Sequence, residues 1–296
     1  MKFFITLYTN WYADFQLIEK VILEADRLGF DGVLIPDHYM FRKSEMRMRR
    51  DRNATLESWI LLAYLVKETE RIQLGTFVTP IPFRLPGMLA KMVSTLDILS
   101  QGRVVLGVGA GWGQGEFEGY SEWNESKIRV DKTKEGLELM IQLWTQDEVN
   151  FEGQHYKAKG AVLEPKPEQK PYPKLLFGGH GDRMLNLAAR YADIVFISPN
   201  GSIGKYDQEG GAISKFQEKK KKVLQKAKQH NRVGEIDFMY GGFDLQNLFG
   251  SYDSKEYSQR VEAAIEAGAS YFITPFPFQD HINAMKNFAK EIMPSF

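Results

Sequence analysis

Three stretches of this chain combine residue types and spacing suited to chemistry. The apolar run GVLI ends in Pro36-Asp37-His38, which sets an ionisable pair at the close of a strand-like segment. An imidazole there can give or take a proton near neutral pH, so His38 is the first candidate for acid–base work. The second stretch is RVVLGVGAGWGQGEF, residues 103–117, where five glycines and Trp112 follow an apolar run. No G-x-G-x-x-G register can be drawn through those glycines, so they do not spell a dinucleotide turn. Bare backbone at Gly109, Ala110 and Gly111 would let a flat ligand lie against it, with Trp112 placed to stack on it. The third is Phe177-Gly178-Gly179-His180-Gly181-Asp182, between a strand-like and a helix-like segment. Gly178, Gly179, His180 and Gly181 could present main-chain N–H groups to a phosphate. No carboxylate appears in the second stretch before Glu116, so no paired acids for glycoside cleavage are visible.

Other charged and titratable groups read as solvated. His155, His230 and His281 fall in a hairpin, at a helix end and at a helix start, and are expected at the surface. The run EKKKK at 218–222 reads as the wet face of a helix. The segment RKSEMRMRRDRN, residues 42–53, sets Arg42, Lys43, Arg47, Arg49, Arg50 and Arg52 against Glu45 and Asp51, and could attract an acidic ligand.

These residues must be positioned by a scaffold. The 296 residues contain 38 Lys plus Arg against 38 Asp plus Glu, so no overall field points to nucleic acid or a membrane surface. The absence of cysteine excludes disulfides, thiolate nucleophiles and zinc–thiolate sites, and no metal site is expected. The start, MKFFITLYTNWYADF, has too short an apolar core for a signal peptide, and no window approaches the roughly 18 apolar residues of a membrane span. A cytoplasmic protein is expected.

Short apolar runs alternate with amphipathic stretches eight times. FFITLY precedes Leu17, Val21, Ile22, Ala25 and Leu28 at helical spacing. GVLIPDH is followed by a helix at 55–69, IQLGTFVTP by 86–100, RVVLGVGAG by 127–145, and KLLFGG by 182–191. DIVFISP precedes 214–229, IDFMYGG precedes 255–267, and YFITPF precedes 280–293. Continuous apolar strands between helices call for a parallel sheet covered on both faces, most simply one closed (β/α)8 TIM barrel over residues 1–296. An open doubly wound sheet lacks its fingerprint, because the first strand runs into TNWYAD. Long connections at 38–54, 112–126, 198–213 and 241–254 all leave strand C-termini and would wall one pocket at that face. Residues 146–173 read as a small hairpin on the opposite face, with a scaffold role.

Residues 71–112, RIQLGTFVTPIPFRLPGMLAKMVSTLDILSQGRVVLGVGAGW, carry R-x-x-L-G-T, an Arg-x-Pro, L-A-K, T-L-D, S-x-G-R and G-x-G-x-G-W. With Asp37-His38 and Gly178-Gly179, these motifs make the chain resemble the bacterial luciferase-like superfamily of flavin- and coenzyme F420-dependent oxidoreductases over nearly its whole length. The resemblance implies a TIM barrel that holds coenzyme F420, or alternatively FMN, at the C-terminal mouth and moves a hydride to or from its ring. It implies cofactor contacts at Asp37, His38, Thr76, Phe77, Val78, Gly109, Ala110, Gly111 and Gly178–Gly181, with His38 and Trp112 at the reacting centre. It places a non-prolyl cis peptide at Phe77–Val78 and matches the basic 42–53 loop to the acidic tail of the deazaflavin.

The expected activity is transfer of a hydride between F420 and a small organic substrate. An FMN-dependent monooxygenase served by a flavin reductase, and a non-catalytic flavin-binding barrel, are the alternatives. A homodimer is implied by the resemblance alone. Where the sugar-phosphate dehydrogenases of the group carry a glutamate after the strand-four glycines this chain has Trp112, and where they carry a tryptophan after Asp-His it has Arg42. Both departures argue against a sugar phosphate.

Overall fold

The computed structural model describes residues 1–9, 14–40, 55–198, 211–232, 234–241 and 248–296. Eight parallel strands close into a barrel: β1 (Lys2–Thr6), β2 (Gly32–Ile35), β3 (Gln73–Thr76), β5 (Val104–Gly109), β8 (Lys174–Phe177), β9 (Ile194–Ile197), β10 (Asp237–Gly241) and β11 (Tyr271–Thr274). The pairing of β3 with β5 and of β1 with β11 completes the ring. A two-residue strand, β4 (Thr79–Pro80), lies parallel on β5 near its C-terminal end. The open sheet is thereby excluded.

Strands buried on two sides explain the unbroken apolar runs. Phe4, Leu34, Val105, Leu176, Ile194, Met239 and Ile273 fill the barrel, while their neighbours Phe3, Ile5, Val33, Val104 and Leu106 pack under the helices. Large and small residues alternate inside: a Cβ at Gly32 would fall 2.1 Å from the Phe4 ring.

The helices are α1 (Phe15–Leu28), α2 (Ser58–Glu68), α3 (Pro86–Leu99), α4 (Gln114–Tyr120), α5 (Ser126–Thr145), α6 (Asp182–Tyr191), α7 (Gly211–Gln229), α8 (Ser254–Glu266) and α9 (His281–Glu291). In α1 the sequence signals act as expected. Asp14 caps the Gln16 N–H, Ile18, Val21, Ile22 and Ala25 form the buried stripe, and Gly29 ends the helix at φ 94°. The hairpin is present as antiparallel β6 (Val149–Glu152) and β7 (Lys157–Ala161). Its turn is pinned to α5 by Glu135, which accepts from the N–H groups of Gln154, His155 and Tyr156.

Two expectations are corrected. The 112–126 connection contains α4, a seven-residue helix with Gly115 and Gly119 inside it, too short and too glycine-rich to show a period. Its anchor is Phe117, fully buried against Phe83 at 4.7 Å between ring centroids. Second, His281 is no surface group: it is 4% exposed, and its ring packs edge-on to Phe276 at 5.6 Å. His155 is half-buried, and His230 is exposed with Nε2 3.0 Å from Asn186 Oδ1.

Burial pushes His281 down to about 3, from an unfolded value near 6.5. Between those values the unfolded chain binds more protons, so this contribution is complete above pH 6.5 and is lost as the pH falls toward 3. By pH 5 the loss from this one group is about 2 kcal/mol. Urea unfolding at pH 7.5 and pH 5 should therefore fall less steeply for His281→Gln than for the natural chain; parallel losses would refute the assignment.

Candidate active site at the barrel mouth

Beyond the end of β2, Asp37 turns beneath the rim and His38 faces the mouth. Asp37 is buried and clamped by Arg84, whose Nη1 and Nη2 donate to its two carboxylate oxygens at 2.6 and 2.9 Å. The Thr79 hydroxyl also donates to Asp37 Oδ2 at 2.8 Å and lies 2.9 Å from the hydroxyl of Thr76. Arg84 donates further to Glu57 Oε1 at 2.5 Å and lies over the Tyr39 ring. Burial alone would lower the Arg84 pKa, but the hydrogen bonds and charges of Asp37, Tyr39 and Glu57 outweigh it and raise it above its ordinary value. The Arg-x-Pro motif thus supplies a clamp: Pro86 opens α3, and Arg84 reaches back 47 residues to Asp37.

The glycines of β5 first make room for protein. The Phe77–Val78 peptide is cis, and the chain around it packs against the glycines of β5 and Gly178. A Cβ at Gly107 would lie 2.0 Å from the Thr76 carbonyl oxygen, one at Gly109 2.5 Å from Val78 Cγ2, and one at Gly178 3.1 Å from Val78 Cγ1. Further along, a Cβ at Gly111, which sits at φ +78°, would meet the Phe117 ring at 2.5 Å. One at Gly113 would come within 2.7 Å of Glu116 Oε1.

Above this layer lies a cavity of about 600 Å³. His38, Phe77, Val78, Gly109, Ala110, Gly111, Trp112, Gly178, Gly179 and Gly181 line it, so most of the residues selected from the sequence share one wall. Asp37 and Thr76 are instead buried and hydrogen-bonded away from that wall. His180 does not line the cavity either. Its Nδ1 is buried without a hydrogen-bond partner, its ring lies 6.2 Å from Phe196, and burial together with the Lys219 charge pushes it down to about 4. The 42–53 segment with Arg42, Arg47, Arg49 and Arg50 lies outside the described residues.

Two groups in the cavity wall were not selected from the sequence. Glu116 is 2% exposed; its Oε1 lies 2.8 Å from His38 Nδ1 and its Oε2 accepts from the Tyr39 N–H at 3.2 Å. The Trp112 ring meets the His38 ring edge-on at 5.4 Å. Arg129 is 8% exposed, donates to the carbonyls of Gly111 and Asn124, and lies 4.0 Å from the Trp123 ring centroid. No carboxylate among the described residues pairs with it, and burial lowers its pKa. The sequence held a signal for it: Arg129 falls on the same stripe of α5 as the buried Val130, Thr133, Gly136, Leu137 and Met140.

A buried guanidinium without a counter-charge among the described residues, set beside the open main chain of Gly181 and the N-terminus of α6, suits an anionic group. Fold and site together define a TIM barrel with a ligand cavity at the C-terminal ends of its strands. The chain belongs to the luciferase-like monooxygenase family, whose profile matches residues 4–229.

Among curated relatives, the FMNH2-dependent dimethylsulfone monooxygenase of Pseudomonas putida is 30% identical over 199 residues, 66% of this chain and 52% of that protein. The F420-dependent glucose-6-phosphate dehydrogenase of Segniliparus rotundus is 35% identical over 179 residues, 60% of this chain and 50% of its own length. The chain thus spans about half the length of the curated relatives it matches. A solved F420-dependent secondary alcohol dehydrogenase, in complex with an F420–acetone adduct, superposes with a TM-score of 0.80 at 20% identity, covering 99% of this chain and 98% of that one.

Proposed function

We propose that the protein is an oxidoreductase that binds coenzyme F420 at the barrel mouth and passes a hydride between it and a small organic substrate, with His38 giving or taking the accompanying proton. The carrying observation is that a single cavity joins a buried Arg129, which no described carboxylate pairs, with the Gly178–Gly181 turn and an imidazole. In this reading Arg129 and the main chain of the turn hold the phosphate-bearing part of the coenzyme, while Val78 and Gly109–Gly111 form the wall beside its ring. When bound, the deazaflavin supplies the hydride chemistry. His38 handles the proton, and Trp112, 45% exposed, covers the substrate side with an indole. That apolar cover argues against a sugar phosphate.

The F420-dependent relatives support this cofactor. A second reading, an FMN-dependent monooxygenase working with a flavin reductase, draws on the dimethylsulfone monooxygenase relative. Titrating the purified protein with F420 and with FMN, followed by visible absorbance, separates them. Tighter binding of F420 is expected; preferential FMN binding with oxygen-dependent turnover would overturn the first reading.

The same reading has the protein act as a cytoplasmic homodimer on a small molecule, with no nucleic acid or membrane involved. Ile60 and Tyr64 on α2, with Leu85 and Met88 at the start of α3, are exposed apolar groups suited to a second copy. No helix among the described residues is long and apolar enough to cross a membrane.

A further inference from the structure

We propose that Glu116 is the positioning residue for His38: its carboxylate holds the imidazole in the form protonated on Nδ1, making Nε2 the nitrogen that exchanges a proton with substrate. The step rests on the role given to His38 above, and the geometry supplies the rest.

Glu116 faces two donors at once. The Tyr39 main-chain N–H can only donate, and it takes Oε2 at 3.2 Å. That leaves Oε1 as the acceptor for His38 Nδ1, 2.8 Å away. A carboxylate serves both donors; an amide, with a single oxygen, serves one. The backbone is shaped to admit this carboxylate, since a Cβ at Gly113 would stand 2.7 Å from Oε1 and 3.2 Å from Cδ. Gly113 itself has φ −76°, which any residue adopts, so the space for Glu116, and not its backbone angle, requires glycine there.

The residue next in sequence locks the arrangement. Phe117 is fully buried between Phe83 and Trp123, and its ring occupies the space that a Cβ at Gly111 would claim. The first turn of α4 therefore cannot slide without unpacking Phe117. On another side of the imidazole stands the Trp112 indole. The ring orientation is thus set by a fixed acceptor and a packing wall, the arrangement by which a carboxylate selects one histidine tautomer.

The test uses the full chain with 15N-labelled histidine, imidazole nitrogen shifts recorded at alkaline pH, and His38→Gln to assign the signal. The natural protein should show Nδ1 protonated on His38. In Glu116→Gln the amide oxygen stays with the Tyr39 N–H and the NH2 turns to Nδ1, so the proton should move to Nε2. Turnover should fall on the order of 10- to 100-fold in kcat, with KM and F420 affinity little changed. Gly113→Ala keeps the carboxylate but crowds it, and should shift the same imidazole signals and lower kcat in the same direction. A natural His38 already protonated on Nε2, or a Glu116→Gln protein with unaltered shifts and unaltered kcat, would overturn the proposal. Lack of any F420-dependent turnover in the natural chain would instead refute the functional reading, and the nitrogen shifts alone would then decide the role of Glu116.

Discussion

A His38→Ala protein should keep most of its affinity for coenzyme F420 and turn over about 10²- to 10⁴-fold more slowly, a loss of roughly 3–5 kcal/mol in transition-state stabilisation. The two effects separate because different parts of the cavity carry them. In the proposed reading, affinity rests on Arg129, whose charge no described carboxylate cancels, and on the main chain between Gly178 and Gly181. In the same reading, proton transfer rests on His38, an imidazole that lines the same cavity but is not among the groups proposed to hold the anion. Stopped-flow single turnover with F420 gives the rate, and fluorescence titration gives the affinity. Equal loss of both would make His38 a binding group. A natural chain that binds cofactor tightly, with no turnover in either form, would favour the non-catalytic flavin-binding barrel.

The fold was legible in the sequence because barrel strands are buried on both sides. Phe3 and Ile5 face helices while Phe4 fills the interior, so FFIT reads as an unbroken apolar run whichever side is considered. The His38 position was legible for a related reason: a strand end in this architecture is the site face. What stayed hidden depends on contacts between residues far apart in the chain. Glu116 meets His38 across 78 residues and Arg84 meets Asp37 across 47, and neither spacing has a period to betray it.

The glycines show the same limit in reverse. Bare backbone from Gly107 to Gly113 suggested room for a ligand, and Gly109 and Gly111 do line the cavity. Yet Gly107 answers to the Thr76 carbonyl, Gly109 and Gly178 to Val78, Gly111 to Phe117 and Gly113 to Glu116. A glycine signals close approach without saying what approaches.

The clamp under the rim should dominate stability. Arg84→Met keeps an unbranched stem of similar length but removes the charge, leaving the Asp37 carboxylate, whose side chain is 1% exposed, with only the Thr79 hydroxyl as donor among the described residues. Breaking a buried ion pair by removing one partner costs about 3–5 kcal/mol, because the survivor keeps its desolvation penalty. For a chain of this size that corresponds to a fall in Tm on the order of 10 °C. Glu57, 31% exposed, also loses its contact with Arg84 but can turn to water, so its share is small. Thermal unfolding of a double variant, Arg84→Met with Asp37→Asn, isolates the cause. The neutral amide can still accept from Thr79 and no longer needs a cation, so the double variant should be more stable than Arg84→Met alone. If the two losses simply added, the cost would lie in lost packing of the arginine stem, and the charge on Asp37 would be solvated in a way its burial argues against.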